Sequence, residues 1–361
     1  MNPEPMQVLF VGGFLGAGKT SLLYRAASLL RGNGRSVGLI TNDQAAGLVD
    51  TAILQEQNGS LVQEVSGSCF CCNFKGLLNA ITTLARQIPS GIILAEPVGS
   101  CTDLSATLMQ PLKERHVHLA RLAPLTVLAD PGRLDALLKG EGDAGAYISE
   151  KQLDEADVIL INKVDLLSPQ ELKALLEAAR ARWALSRVMA VSARTGEGIE
   201  EWLSYVLSHM GQCGTHLAQV DYDTYAAGEA AYGWLNASYD LSGAGDAADC
   251  APRLLQALSD ALAARSAAVG HVKFLIQGKS AQMLGNLTGG AAAQTLRQVG
   301  SGLPRMTLTL NARAELSPQA LQEAVEQVMA QVFSDFQVTV KELRCLQPGR
   351  PNPTYRYDKT V

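Results

Sequence analysis

Six short runs in the first 210 residues carry no polar alternation: Val8-Leu9-Phe10-Val11, Val37-Gly38-Leu39-Ile40, Ile92-Ile93-Leu94-Ala95, Thr126-Val127-Leu128-Ala129, Val158-Ile159-Leu160-Ile161 and Val188-Met189-Ala190-Val191. A strand with one face in water alternates apolar with polar residues. Runs like these belong instead to strands buried on both faces, the condition of a parallel sheet covered by helices. The stretches between them have helical periodicity. From Ser21 to Leu30, for example, Leu22, Leu23, Ala26, Leu29 and Leu30 fall on one stripe. The alternation predicts an α/β fold, a doubly wound parallel sheet, over residues 1–210.

The 361 residues leave room for a second domain. Residues 211–228 are rich in Gly, Ala and Tyr, show no period and read as a linker. Residues 229–346 read as a smaller α+β domain with an antiparallel sheet. Its strands are expected at Gly233–Leu241, His271–Gln277, Met283–Leu287, Met306–Leu310 and Phe336–Leu343. Its helices are expected at Pro252–Ala264 and from Ser317-Pro318 to about Phe333, the latter opening on a capping residue followed by proline. Residues 347–361 form a proline-rich, extended tail.

Charge and apolar content exclude several classes. Thirty Lys and Arg against 35 Asp and Glu give a net charge of −5, with no basic block to neutralise phosphates, so nucleic acid is not an expected partner. No apolar run approaches the roughly 18 residues of a membrane span. Met-Asn-Pro-Glu-Pro at the start lacks the basic residues of a secretory leader, so a cytoplasmic protein is expected. Seven cysteines, three of them at Cys69, Cys71 and Cys72, then point to metal or thiol chemistry in place of a disulfide framework.

The first strand runs into Gly13-Phe-Leu-Gly16-Ala17-Gly18-Lys19-Thr20-Ser21, which contains the full G-x-x-x-x-G-K-[ST] phosphate loop of a P-loop NTPase. Glycines let backbone N–H groups converge on an anion, and the helix that follows aims its N-terminal dipole at it. Lys19 is expected to neutralise the β and γ phosphates and the Thr20 hydroxyl to bind Mg²⁺. Asn162-Lys163-Val164-Asp165 follows the fifth apolar run. A carboxylate at Asp165 can accept from N1 and the 2-amino group of guanine, a donor pair that adenine lacks. Ser192-Ala193, after the sixth run, can present N–H groups to the guanine O6. Ligands of open α/β sheets bind at the carboxyl ends of the strands, and Glu96 and Asp43 sit at two such ends. Glu96 fits a Walker B carboxylate, with Asp43 as the parallel candidate for the Mg²⁺ shell and Gly99 as a γ-phosphate sensor. In Cys69-Phe70-Cys71-Cys72, alternate residues of an extended segment share a side. Three thiolates suit Zn²⁺ or another soft ion, and three ligands with no obvious fourth suit a working, open site.

Together the phosphate loop, the Cys-x-Cys-Cys motif, the Glu-x-x-Gly at Glu96–Gly99 and Asn-Lys-Val-Asp resemble the CobW-type GTPases, relatives of the urease and hydrogenase nickel-insertion GTPases, over about residues 7–207. The resemblance implies slow GTP hydrolysis coupled to delivery of a metal or metal cofactor to an acceptor metalloprotein. It implies Cys69, Cys71 and Cys72 as metal ligands, and Lys19, Thr20 and Glu96 in service of GTP and Mg²⁺. The run after the second strand, Asn42-Asp43-Gln44-Ala45-Ala46, lacks the second acidic residue that many members carry there. The cargo therefore stays open between zinc, cobalt, a corrinoid and iron. A GTP-dependent activator that senses metal without carrying it is the alternative. A nucleotide-dependent homodimer is expected by analogy with related switches.

Overall fold

The computed structural model describes residues 4–42, 49, 61–243, 247–278, 282–289, 294–299 and 305–361. These fall into two compact units. One holds the described residues to Tyr225 together with Arg350–Val361. The other holds Val49 and the described part of Ala226–Gly349.

All six apolar runs are strands of one parallel sheet: β1 (Met6–Gly13), β2 (Val37–Asn42), β4 (Ile92–Glu96), β6 (Thr126–Ala129), β7 (Val158–Ile161) and β8 (Arg187–Ala190). Two strands carried no apolar run. β3 (Val62–Val65) lies at the sheet edge with Gln63 and Glu64 half-buried, and β5 (Ala120–Leu122) is three residues long and pairs with the start of β1. The strand order is β3-β2-β4-β1-β6-β7-β8. The chain leaves β1 toward β2 on one side and later builds β6 to β8 on the other. The carboxyl end of β1 is thus the point where the winding reverses, where such sheets open a ligand crevice.

Helix α1 (Lys19–Gly32) buries Leu22, Leu23, Ala26, Ala27 and Leu30 against Leu9, Val11 and Leu39 of the sheet. Leu29, expected on that stripe, is 37% exposed, and Ala27 lies on the buried side. Around the sheet run α2 (Phe74–Gln87), α3 (Gln110–Arg115, continuing a π-helical turn at Ser105–Met109), α4 (Pro131–Leu138), α5 (Ala146–Asp154), α6 (Pro169–Arg182) and α7 (Ile199–Ser208). Helix α8 (Tyr222–Ala230) occupies part of the stretch that lacked a period. Asp221 Oδ1 caps it by accepting from Thr224 N at 2.7 Å. The polar residues Asp223, Thr224 and Glu229 of α8 point to different sides of the helix, so no stripe is visible in its sequence.

The second unit is an antiparallel sheet of order β12-β11-β10-β13-β9-β14, with β9 (Gly233–Gly243), β10 (Val269–Gln277), β11 (Gln282–Leu287), β12 (Gln294–Val299), β13 (Arg305–Ala314) and β14 (Phe336–Leu346). Helices α9 (Ala247–Ala263) and α10 (Pro318–Val332) share its core, where Leu254, Leu258, Leu321 and Val325 join Leu235, Phe274 and Leu308. Helix α9 begins five residues before Pro252 and so carries that proline inside its second turn, at the loss of one ladder hydrogen bond. Ser317 Oγ caps α10 by accepting from Ala320 N at 3.2 Å.

Candidate functional site

The phosphate loop is shaped by what its glycines admit. Gly13 has φ +129, and a Cβ there would lie 2.4 Å from the Leu128 carbonyl oxygen on β6. Gly18 has φ +97, and a Cβ there would lie 2.4 Å from Asn162 Nδ2. The space kept clear at Gly18 is used by Asn162, which donates to the Ala17 carbonyl at 2.8 Å and accepts from Ala193 N at 2.9 Å. One buried amide thus joins the phosphate loop to the turn after β8. Lys19 is 6% exposed, and its Nζ donates to the carbonyls of Gly13 (2.8 Å) and Phe14 (3.3 Å). Thr20 Oγ1 donates to both Glu96 oxygens, at 3.0 and 3.2 Å, while Lys19 Nζ stands 3.9 Å from Glu96 Oε1. Lys19, Thr20 and Glu96 therefore converge at the crevice; Gly16 lies in the loop and Ser21 is exposed on α1. Asp43 lies outside the described residues.

Just after β7, Lys163 takes a left-handed conformation (φ +60) and its Nζ donates to Asp130 at 2.7 Å. Asp130 also caps α4 through Gly132 N and Arg133 N. The Asp165 carboxylate is 10% exposed, accepts from Ser192 Oγ and pairs with Arg194, which is 66% exposed. A guanidinium offers parallel N–H donors, as the N1 and 2-amino edge of guanine does. Asp165 already holds a partner of that shape, on an arm exposed enough to swing away.

The segment Glu96-Pro97-Val98-Gly99-Ser100-Cys101 leaves β4 beside this crevice. A Cβ on Gly99 would lie 3.0 Å from Lys19 Nζ and 2.8 Å from Leu15 Cδ2, so a side chain there would have to displace the ends of both. Gln152 Nε2 on α5 donates to the carbonyls of Gly99 (3.0 Å) and Cys101 (2.7 Å). Farther along, Asp103 is fully buried with φ +64. It accepts from Tyr222 at 2.8 Å and pairs with Arg356 at 2.7 Å, and burial raises its carboxyl above the usual range. Glu155 is buried too, accepting from Thr102 Oγ1 (3.1 Å) and Ser105 N (2.7 Å). Burial first, then the Asp103 charge, hold it well above the usual carboxylate range.

The cysteine loop is fixed from below by Asn42, at the end of β2. Its Nδ2 donates to the carbonyls of Val65 (2.7 Å) and Ser68 (2.9 Å), and its Oδ1 accepts from Phe70 N (2.8 Å). Phe70 is fully buried, edge-on to Phe10 at 6.2 Å. A turn closes with Cys72 N and Asn73 N on the Cys69 carbonyl, and Asn73 then caps α2. The sulfurs of Cys69, Cys71 and Cys72 all lie within 4.8 Å of one another, with Cys69–Cys71 at 2.8 Å and Cys71–Cys72 at 3.9 Å. Sulfurs held tetrahedrally by a zinc-sized ion at about 2.3 Å stand about 3.8 Å apart. Cys71 and Cys72 already have that spacing, and Cys69 and Cys71 need to open by about 1 Å. The donor set fits a soft ion.

Hydrogen bonds from Cys101, then Cys71 and Cys72, hold the Cys69 thiol well below its ordinary value. The corresponding bond with Cys101, then that with Cys69, pushes Cys71 well up, and the bond with Cys69 pushes Cys72 up to about 11. Cys69 and Cys71 are buried and Cys72 is half-buried. The C-terminal residues cross this loop. Thr354 N donates to the Cys71 carbonyl at 2.8 Å, Asn352 N to the Cys72 sulfur at 3.4 Å, and Tyr355 packs on Phe74 at 5.2 Å under the Arg115 guanidinium.

Four participants had no motif to announce them. Gln152, Asn352 and Arg356 are distant in sequence and act through one or two hydrogen bonds or an ion pair. Cys101 alone left a trace, as a cysteine two residues after Gly99.

A profile of the CobW/HypB/UreG nucleotide-binding domain matches residues 7–188. The chain is 26% identical over 215 residues to the zinc-regulated GTPase metalloprotein activator 1 of Schizosaccharomyces pombe, covering 55% of this chain and 49% of that protein. It is 32% identical over 168 residues to the zinc chaperone YeiR of Escherichia coli, covering 46% of this chain and 48% of that protein. The chain thus spans about half the length of these curated relatives. The crystal structure of hydrogenase maturation factor HypB from Archaeoglobus fulgidus covers 56% of this chain and 89% of its own, at 20% identity and TM-score 0.38. With its phosphate loop, its strand-end Asn162-Lys163-Val164-Asp165 and half of its length under one profile, the chain belongs to the CobW/HypB/UreG nucleotide-binding family.

Proposed function

We propose that the chain is a GTP-hydrolysing metallochaperone that carries a soft metal ion on Cys69, Cys71 and Cys72 and hands it to an acceptor metalloprotein. The observation that carries this reading is the Glu96–Cys101 segment. It begins at the carboxylate that meets Thr20 and ends at Cys101, a buried cysteine that influences the Cys69 and Cys71 thiols. GTP would be held by Gly13 to Ser21 at its phosphates and by Asn162, Lys163, Asp165, Ser192 and Ala193 at its base. Thr20 and Glu96, with Asp43 as a further candidate, would hold Mg²⁺, which neutralises phosphate charge as it develops. Lys19 releases the Gly13 and Phe14 carbonyls to reach the β and γ phosphates. Zinc is the proposed cargo because the donors are thiols and the curated relatives are named for zinc; cobalt suits the same donors. Seven free cysteines support a reducing compartment, the cytoplasm.

Magnitudes restrict the mechanism. A closed zinc site is worth about 10–16 kcal/mol, whereas coupling between two sites is typically about 1–3 kcal/mol. Nucleotide turnover can therefore tune the site but cannot empty it into water, and release requires ligand exchange with a docked acceptor. A GTP-favoured homodimer belongs to the same proposal. The second reading, a GTP-dependent activator that senses metal without passing it on, is favoured by the burial of Cys69 and Cys71, 6% and 3% exposed.

Metal analysis of protein purified without oxygen tests the proposal. About one equivalent of zinc is expected in the wild type and much less in Cys71→Ser, with GTP bound in strong preference to ATP. Equal metal in both proteins, or equal affinity for the two nucleotides, rejects it. Zinc that stays bound when a competent thiolate acceptor is added points to the sensor.

A further inference from the structure

We propose that residues 352–357 form a strap over the cysteine turn, hinged at its far end, that must lift before a metal ion enters or leaves. The proposal rests on the reading of Cys69, Cys71 and Cys72 as the cargo site. The three cysteines are unequally covered. Cys69 and Cys71 are buried and Cys72 is half-buried, so an incoming ligand reaches the ion on the Cys72 side. The strap lies on that side. Asn352 N donates to the Cys72 sulfur at 3.4 Å, Thr354 Oγ1 to the Cys72 carbonyl at 3.3 Å and Thr354 N to the Cys71 carbonyl at 2.8 Å. Two of these bonds end on backbone carbonyls, which take no part in ligation, and a metal-bound thiolate still accepts the third. The strap therefore seats alike on a loaded and an unloaded turn.

Half-buried Pro353, Tyr355 and Tyr357 alternate with exposed Asn352, Thr354 and Arg356, the spacing of an extended segment with one face against the protein. The segment belongs to neither sheet, so lifting it breaks no ladder. Its two ends are held differently. Past the turn, Arg356 pairs with buried Asp103 at 2.7 Å, Tyr357 N donates to the Ala106 carbonyl at 3.1 Å, and the Tyr357 hydroxyl accepts from Arg115 at 3.0 Å. Before the turn, Arg350 and Asp223 form a pair 61% and 85% exposed, of the kind worth little. Over the turn itself stand the three hydrogen bonds and the Tyr355 ring, edge-on to Phe74 at 5.2 Å. The segment is thus anchored at 356–357 and lightly held at 352–355, which is the geometry of a hinged strap. An acceptor that displaces residues 352–355 opens the Cys72 side to its own ligand.

Zinc uptake, and zinc release into excess EDTA, each followed by stopped flow on the full chain, test the strap. Thr354→Pro weakens the seat by removing both Thr354 bonds, and Tyr355→Ala by removing the ring on Phe74. Each variant should speed uptake and release alike, by about tenfold. Zinc affinity should stay within about threefold of wild type, since a strap that seats alike on both forms shifts no equilibrium. Arg350→Ala should change neither rate. Tyr355→Leu serves if Tyr355→Ala does not fold. Rates unchanged in both seat variants overturn the strap. Faster release with uptake unchanged also overturns it and makes residues 352–357 a support for the bound ion only. In both of those cases the zinc retained by wild type leaves the cargo site standing. Wild type that holds no zinc rejects the cargo site and the strap together.

Discussion

Replacing Asn42 by alanine should weaken metal binding although Asn42 offers no metal ligand of its own. Its side chain makes three hydrogen bonds that hold the cysteine turn to the end of β2. At about 0.5–1.5 kcal/mol net for each bond, the set is worth at most about 1.5–4.5 kcal/mol. The carbonyls of Val65 and Ser68 can turn toward water once released. The Phe70 N–H cannot, because Phe70 is fully buried against Phe10. The middle of the range, about 2–3 kcal/mol, is therefore the expected cost of keeping the turn in its binding form, and metal must supply it on binding. That is a loss of about 30–150-fold in metal affinity. Asn42→Asp should lose at least as much, since it keeps the acceptor for Phe70 but sets a carboxylate against two carbonyl oxygens. Competition against a chromophoric zinc chelator, beside thermal unfolding of the metal-free protein, measures both terms. A lowered melting temperature with metal affinity within about threefold of wild type would refute the idea that the turn is pre-organised from below.

Metal affinity should rise with pH through neutrality. Cys71 is raised and Cys72 sits at about 11, so binding must expel at least two protons. The affinity should then climb about a hundredfold per pH unit below those values, and a flat profile would count against thiolate ligation. Asp165→Asn should cost about 1.5–3 kcal/mol of guanine affinity while leaving ADP binding as weak as before, measured by calorimetry. Glu96→Gln should weaken nucleotide binding much more with Mg²⁺ present than with EDTA, since the change removes a charge that faces Thr20; equal losses in both conditions would argue against a metal-shell role. Arg356→Ala strips Asp103 of its cation but leaves the Tyr222 hydroxyl. As Arg356 is itself 35% exposed, a loss of about 2–3 kcal/mol is expected, below the range for a fully buried pair. Calorimetric melting should fall by several degrees. The deficit should shrink as pH drops and the raised Asp103 carboxyl takes a proton.

The parts legible in the sequence are those where one physical demand acts on contiguous residues. A strand buried on both faces must be apolar throughout, so β1, β2, β4, β6, β7 and β8 announce themselves. A loop that wraps an anion must have its glycines, so Gly13 to Thr20 does too. Edge strands such as β3 answer to weaker demands and are silent, as is α8, whose polar residues Asp223, Thr224 and Glu229 are spread around the helix. Leu29 shows the limit of a stripe read by period alone, since the helix turns it to solvent and buries Ala27. The site divides the same way. Lys19, Thr20 and Glu96 meet because strand-end rules bring them together, and three neighbouring cysteines need no folding to be close. Cys101, Gln152, Asn352 and Arg356 reach the site through tertiary contacts made one residue at a time, for which sequence spacing offers no rule.

The most direct test of the link between the two ligands is metal affinity measured in the GTP-analogue and GDP forms of the same wild-type protein. A difference of about 5–150-fold is expected if the Glu96–Cys101 segment transmits the nucleotide state to the sulfurs. Equal affinities would contradict it, because a ligand that binds both states alike shifts neither.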